Sequence, residues 1–147
     1  MSPSSAPLDA GVVARVRASF ARQGVMETLG AELADVSAGR VAIALAIEPR
    51  LCQQHGFLHA GVVATVLDSA CGYAALTLMP DDAEVLTVEL KVNLMAPASG
   101  DRLVAEGEVV RAGRTLTVCR GDAYAEHEAE RTNVATMLAT MVRRRAD

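Results

Sequence analysis

Residues Gly61 to Met79 form an almost unbroken apolar run of 19 residues whose single acidic or basic member is Asp68. A helix that is apolar all round must be buried on all sides, so the rest of the chain has to wrap it. A membrane span of this length is the rival reading. A central Asp costs ~2.5–3.5 kcal/mol on insertion scales. Thr65, Ser69, Gly72 and Thr77 weaken the span further, and no Trp or flanking basic cluster anchors its ends. The run is therefore expected to be a buried helix, stopped by Pro80-Asp81-Asp82.

Strands are expected to supply the wrap. Thr28–Val36 and Arg40–Ile47 read as two strands joined by the Ser37-Ala38-Gly39 turn, and Val41, Ile43, Leu45 and Ile47 alternate with small residues. Over Val85–Met95 the alternation is strict. Leu86, Val88, Leu90, Val92 and Leu94 are expected on the buried face, with Thr87, Glu89, Lys91 and Asn93 on the other. Leu103–Arg111 and Thr115–Tyr124 flank the Ala112-Gly113-Arg114 turn, and Arg131–Arg143 forms a last strand with Val134, Leu138 and Val142 on one face. Ahead of all this, Val12, Val13, Val16 and Phe20 recur at helical spacing over Leu8–Gln23, a helix closed by Gly24. Residues 1–7 read as a disordered lead and residues 8–147 as one domain, without repeats. A curved antiparallel sheet around the central helix, an α+β architecture, satisfies both the helix and the one-sided strands.

Charge and composition narrow the function. A net charge of −4, with two Phe, two Tyr and no Trp, argues against a nucleic-acid groove. Arg143-Arg144-Arg145 reads as a solvated tail. Cys52, Cys71 and Cys119 offer neither a zinc pair nor a disulfide framework. No signal peptide is visible, so a reduced, cytoplasmic location is expected.

The chemistry-bearing stretch is Gln53-Gln54-His55-Gly56-Phe57-Leu58-His59-Ala60-Gly61, followed by Leu67-Asp68-Ser69-Ala70. It places a polar loop and a helix N-terminus ahead of a lone carboxylate. Free amides at Ala60 and Gly61 suit a carbonyl oxygen that gains negative charge. Asp68 lies roughly 10 Å further along the axis at 1.5 Å per residue. That is too far for one chain to grip a small carbonyl from both ends, and a site assembled from two subunits removes the difficulty.

This segment resembles the PaaI-type branch of the hotdog thioesterase superfamily, whose signature is His-Gly-Gly with an acidic residue nine positions after the His. His59 to Asp68 keeps that spacing, and Gln53 stands where an Asn or Gln is typical. Leu86–Asn93 with Met95-Ala96-Pro97, and Gly113-Arg114-Thr115, resemble the family's next strand and its later hairpin. The likeness covers roughly residues 25 to 143.

The resemblance implies a hotdog fold, a homodimer with two sites at its interface, often a homotetramer, and hydrolysis of acyl-coenzyme A without a cofactor. Asp68 would be nucleophile or general base, and Gln53 from the partner would position water or the thioester. Amides near Ala60 and Gly61 would polarise the carbonyl, His59 would shape the loop, and Thr87 would lie near the reacting water. Ala60 replaces the usual first Gly, placing a methyl group near the carbonyl.

Blander roles stand beside these. Asp68 could be structural, satisfied by amides or hydroxyls. His55 and His59 as metal ligands with Asp68 are disfavoured, because Gly56 argues against a helix there. His55 and His127 are expected to be exposed. Cys71 is expected to be a core residue, since a neighbouring carboxylate raises a thiol's pKa. Lys91, Arg111 and Arg114 are candidates for holding coenzyme A phosphates, although solvated strand faces carry such residues routinely. A non-catalytic acyl-CoA-binding module and a dehydratase acting on 3-hydroxyacyl-CoA are the alternative functions.

Overall fold

The computed structural model describes residues 7–147, so the expected lead lies, apart from Pro7, outside the described residues. Six strands, β1 (Glu32–Ser37), β2 (Arg40–Ala46), β3 (Ala83–Leu94), β4 (Arg102–Ala112), β5 (Leu116–His127) and β6 (Glu130–Arg145), form one antiparallel sheet in the order β1-β2-β4-β5-β6-β3. Helix α1 (Ala10–Arg22) and the short α2 (Gly24–Leu29) precede the sheet, and α3 (Ala60–Leu76) lies against one face of it.

The core sits between α3 and the sheet. Val63, Val66, Leu67, Ala70, Cys71 and Ala74 of α3 are buried against Ile43, Leu103, Ala105, Cys119, Ala139 and Met141. The helix comes nearest the sheet at two paired glycines, Gly107 of β4 and Gly121 of β5. A Cβ at position 107 would lie 2.4 Å from the backbone of Ala70, whereas one at 121 would lie 3.0 Å from the tips of Leu67 and Cys71. Side-chain tips can yield and helix backbone cannot. Gly107→Ala is therefore expected to cost at least ~1–3 kcal/mol, a fall in thermal midpoint of several degrees, and clearly more than Gly121→Ala. Equal melting shifts for the two variants would contradict this packing.

The C-terminal end of α3 is closed by side chains from distant elements. Arg15 of α1 donates to the carbonyls of Leu76, Met79 and Pro80 at 2.8, 3.0 and 2.5 Å. These are carbonyls at and just past the end of the helix, where a cation is also favoured by the dipole. Buried Thr77 donates to Ala74 O at 2.7 Å and accepts from Gly39 N–H at 2.8 Å, tying the helix end to the β1–β2 turn. No helix among the described residues is long and apolar enough to cross a membrane.

Four expectations are corrected. The first helix ends at Arg22, and Gly24 opens α2 instead of closing the segment, so Thr28 and Leu29 are helical and the strand begins at Glu32. Gly30, at φ 68°, caps α2 in the left-handed region, and Met26 and Leu29 bury its inner side. Secondly, α3 is not buried all round. Ala60, Gly61, Ala64, Thr65, Asp68, Ser69 and Gly72 form an exposed or half-exposed face in the single chain.

Thirdly, the alternation of β3 is broken by a bulge at Val88, between the pairs Thr87↔Met141 and Glu89↔Thr140. Thr87 therefore turns toward α3 while Leu86, paired with Val142, turns away. Beyond the bulge Leu90, Val92 and Leu94 pair with the buried Ala139, Met137 and Ala135. Fourthly, Val134 sits where the β5–β6 register shifts, so it is buried while Leu138 faces out at 54% exposure. The inward row of β6 is Ala135, Met137, Ala139 and Met141. In both strands one extra residue switches the face that follows it.

Candidate active site

His59 caps α3. Its ring Nδ1 accepts the Gly61 N–H at 2.9 Å, which leaves the proton of a neutral ring on Nε2. Its carbonyl accepts from the amides of Val62 and Val63 at 2.9 and 3.2 Å. Three of the four amides that open the helix are thereby occupied. The fourth, the Ala60 N–H, has no hydrogen-bond partner among the described residues. Of the two amides expected to face a carbonyl, Gly61 donates inside its own cap and Ala60 is free.

Gln53 organises the loop ahead of the helix. Its side-chain oxygen accepts from the amides of His55 and Phe57, at 2.5 and 3.4 Å, and its backbone N–H donates to Phe57 O at 2.8 Å. The carboxamide NH₂ makes no bond among the described residues. Gln53, His59 and Ala60 line one cavity of about 530 Å³, with Phe57, Met95 and Pro97.

Asp68 is half-buried on the open face of α3. Thr87 Oγ1 donates to its Oδ1 at 2.7 Å and lies 3.4 Å from Met141 Sδ. One carboxylate oxygen is thus fixed from the edge strand, and the other has no donor among the described residues. Asp68 borders two further cavities, of about 400 and 120 Å³, and lines neither wall of the cavity at the helix start. In one chain, then, the structure joins Asp68 with Thr87 and joins Gln53 with His59 and Ala60. Eight residues of helix, about 12 Å, separate the two groups.

The three candidate phosphate ligands join neither group. Lys91 is exposed on the outer side of β3 and donates to Asn93 at 3.0 Å. Arg111 and Arg114 are exposed at the β4–β5 turn and line neither of the two cavities described at Asp68. Cys71 has no exposure, and burial first, then Cys119, Asp68 and Asp122, push its thiol far upward. Burial likewise raises Cys119 to about 12. Neither thiol is a nucleophile near neutral pH.

Sequence reasoning missed Gln23. Held between α1 and α2, it accepts from Ser69 Oγ at 2.8 Å and donates to Tyr73 Oη at 3.2 Å, and it lines both cavities at Asp68. The available signal was the Met26/Leu29 spacing before Gly30, which marks a second short helix with a junction ahead of it.

An antiparallel sheet wrapped around one long helix is the hotdog fold. A model of the thioesterase superfamily matches residues 55–132. A thioesterase family protein from Silicibacter pomeroyi is 52% identical, with a TM-score of 0.90 over 92% of this chain and 99% of that one. The PaaI protein of Escherichia coli, 17% identical, shares the fold with a TM-score of 0.83 over 93% of this chain and 96% of that one. A putative esterase from Halobacterium salinarum is 34% identical over 100 residues, 65% of this chain and 66% of its own length. A 1,4-dihydroxy-2-naphthoyl-CoA hydrolase from Listeria monocytogenes is 26% identical over 95 residues, 65% of this chain and 77% of its own length. The matches to the first two curated relatives span just under two thirds of those proteins. The chain belongs to the thioesterase superfamily.

Proposed function

We propose that this protein hydrolyses acyl-CoA thioesters at sites built from two copies of the chain. The observation that carries the reading is the unspent oxygen of Asp68, whose other oxygen Thr87 holds. The family and the CoA-thioester hydrolase among the relatives support the substrate class.

The carbonyl oxygen of the thioester accepts from the Ala60 N–H of the partner subunit, where the positive end of a helix stabilises charge developing on it. The free Asp68 oxygen either takes a proton from water that attacks the carbonyl carbon or attacks that carbon itself, with water completing the second case. In both routes a C–O bond forms, the C–S bond breaks, and the departing coenzyme A thiolate receives the proton. The unspent NH₂ of Gln53 is placed to hold water or substrate beside Ala60, and His59 fixes the helix start. Lys91, Arg111 and Arg114 remain candidates for the coenzyme A phosphates through a partner's surface.

Dimerisation uses the β3 edge. An edge strand with Leu90 and Leu94 at 41% and 54% exposure, continued by Met95 at 53%, is a surface that single chains normally avoid. A second copy covers it and brings its own helix start toward Asp68. A tetramer then forms across the outer sheet face, where Leu86 and Leu116 flank Val142 and Leu138 stands nearby. Leu138→Asp is expected to halve the mass seen by sedimentation while leaving turnover in place; an unchanged mass would contradict this face.

The test is coenzyme A release from a panel of acyl-CoA thioesters, wild type against Asp68→Asn. Release by the wild type and its near-loss in the variant is expected. Equal rates, or none from either protein, would remove the hydrolase reading.

A further inference from the structure

The helices that precede the sheet lie outside the stretch matched by the family model, residues 55–132, yet residues at their junction line the cavities at the carboxylate. The cavity of about 120 Å³ beside Asp68 is lined by Ser19 and Gln23 from that segment together with Tyr73 of α3. Gln23 also lines the more open cavity of about 400 Å³ in front of Asp68, with Val25, Thr65 and Leu90. Gln23, Asp68 and Ser69 form the wall the two spaces share, and Gln23 is the one of the three that comes from outside α3.

That wall is held firmly. Gln23 Oε1 accepts from Ser69 Oγ at 2.8 Å and its Nε2 donates to Tyr73 Oη at 3.2 Å. Tyr73 Oη also lies 3.2 Å from Ser19 Oγ, and the Tyr73 ring packs against Phe20 with centroids 5.9 Å apart. Gln23 itself has an extended backbone, φ −81° and ψ 96°, forced by the break between α1 and α2. A glutamine in a continuous helix would point elsewhere. The break therefore serves to present this one amide to the face of α3 one residue beyond Asp68.

We propose that Gln23 is a specificity-determining residue: it forms the end wall of the acyl subsite and limits how far an acyl chain extends beyond the thioester carbonyl at Asp68. This rests on the acyl-thioester reading above. The small chamber takes the end of the acyl group, with Gly72, Val85 and Met141 on its sides. An acyl chain longer than the chamber meets the Gln23 amide, which cannot swing aside without giving up both hydrogen bonds.

Two substitutions move the limit in opposite directions. Gln23→Ala joins the two spaces and admits longer chains. Gly72→Ala narrows the chamber, and it folds safely because the added Cβ would be 4.0 Å from its nearest neighbour, Val85 Cγ1, and alanine is the better helix former. The experiment measures kcat/KM across straight-chain acyl-CoA substrates from acetyl to dodecanoyl, with melting curves for each protein. Gln23→Ala is expected to raise the ratio of long-chain to short-chain kcat/KM by roughly tenfold, the factor that about one methylene commands in a pocket. Gly72→Ala is expected to lower that ratio by a similar factor. A merely structural Gln23 would shift melting and leave the ratio alone. Should the wild type hydrolyse the panel and Gly72→Ala, and Gln23→Ala if folded, keep its chain-length profile, the inference is overturned while the hydrolase reading stands. No release from any substrate by the wild type overturns both.

Discussion

Replacing Asp68 with asparagine is expected to lower kcat/KM for acyl-CoA by about 10²–10⁴-fold, the usual worth of a positioned acid–base group. The substitution isolates chemistry from architecture. Asparagine has nearly the same shape, and its carbonyl oxygen can accept the Thr87 hydroxyl that now meets Oδ1 at 2.7 Å. Asp68 is half-buried and no charged partner pairs with it among the described residues, so loss of its charge breaks no ion pair. The melting temperature should therefore stay close to that of the wild type. A variant that keeps wild-type turnover would make Asp68 a structural residue.

The second large effect concerns one backbone hydrogen. Ala60→Pro deletes the N–H that has no partner among the described residues. Ala60 is the first residue of α3, the position where proline fits best because its missing donor is not needed by the helix. His59 already has φ −61° and ψ 135°, the extended geometry a residue before proline adopts. Fold and cap should survive, while hydrolysis falls by about 10²–10³-fold, the cost of one oxyanion donor. Measured kcat with a normal melting curve checks both halves of that statement. Full activity in Ala60→Pro would move the carbonyl to another donor.

The helix and its carboxylate were legible because a long apolar run with one acid admits few placements. The sheet was legible because apolar and small or polar residues alternate over Val41–Ile47 and Val85–Met95, and tight turns divide the remaining strands. The faces were less so, since alternation is lost wherever a bulge adds a residue. Val88 and Val134 are ordinary strand residues that carry no sign of their bulges. At Val88 the shift bears on the candidate site: strict alternation would have turned Thr87 to solvent, and the bulge aims it at Asp68. The likeness of residues 86–97 to the family pointed to Thr87 where periodicity pointed away from it. Gly61 illustrates a second limit. Its amide is at the helix start as expected, but the side chain of His59 occupies it, a local choice of rotamer that spacing does not encode. Gln23 was hidden because its role depends on a helix break and on a neighbour 46 residues away in sequence.

Division of the site between subunits is tested most directly by mixing two inactive chains. Asp68→Asn lacks the carboxylate, and Ala60→Pro lacks the amide. Unfolded together and refolded, equal amounts should form mixed dimers in half of all pairs, each with one intact site. Roughly a quarter of wild-type activity should then return, as the symmetry of a two-fold dimer requires. If the mixture stays as inactive as its components although mixed dimers have formed, the carboxylate and the amide act within one chain and the site is not shared between subunits.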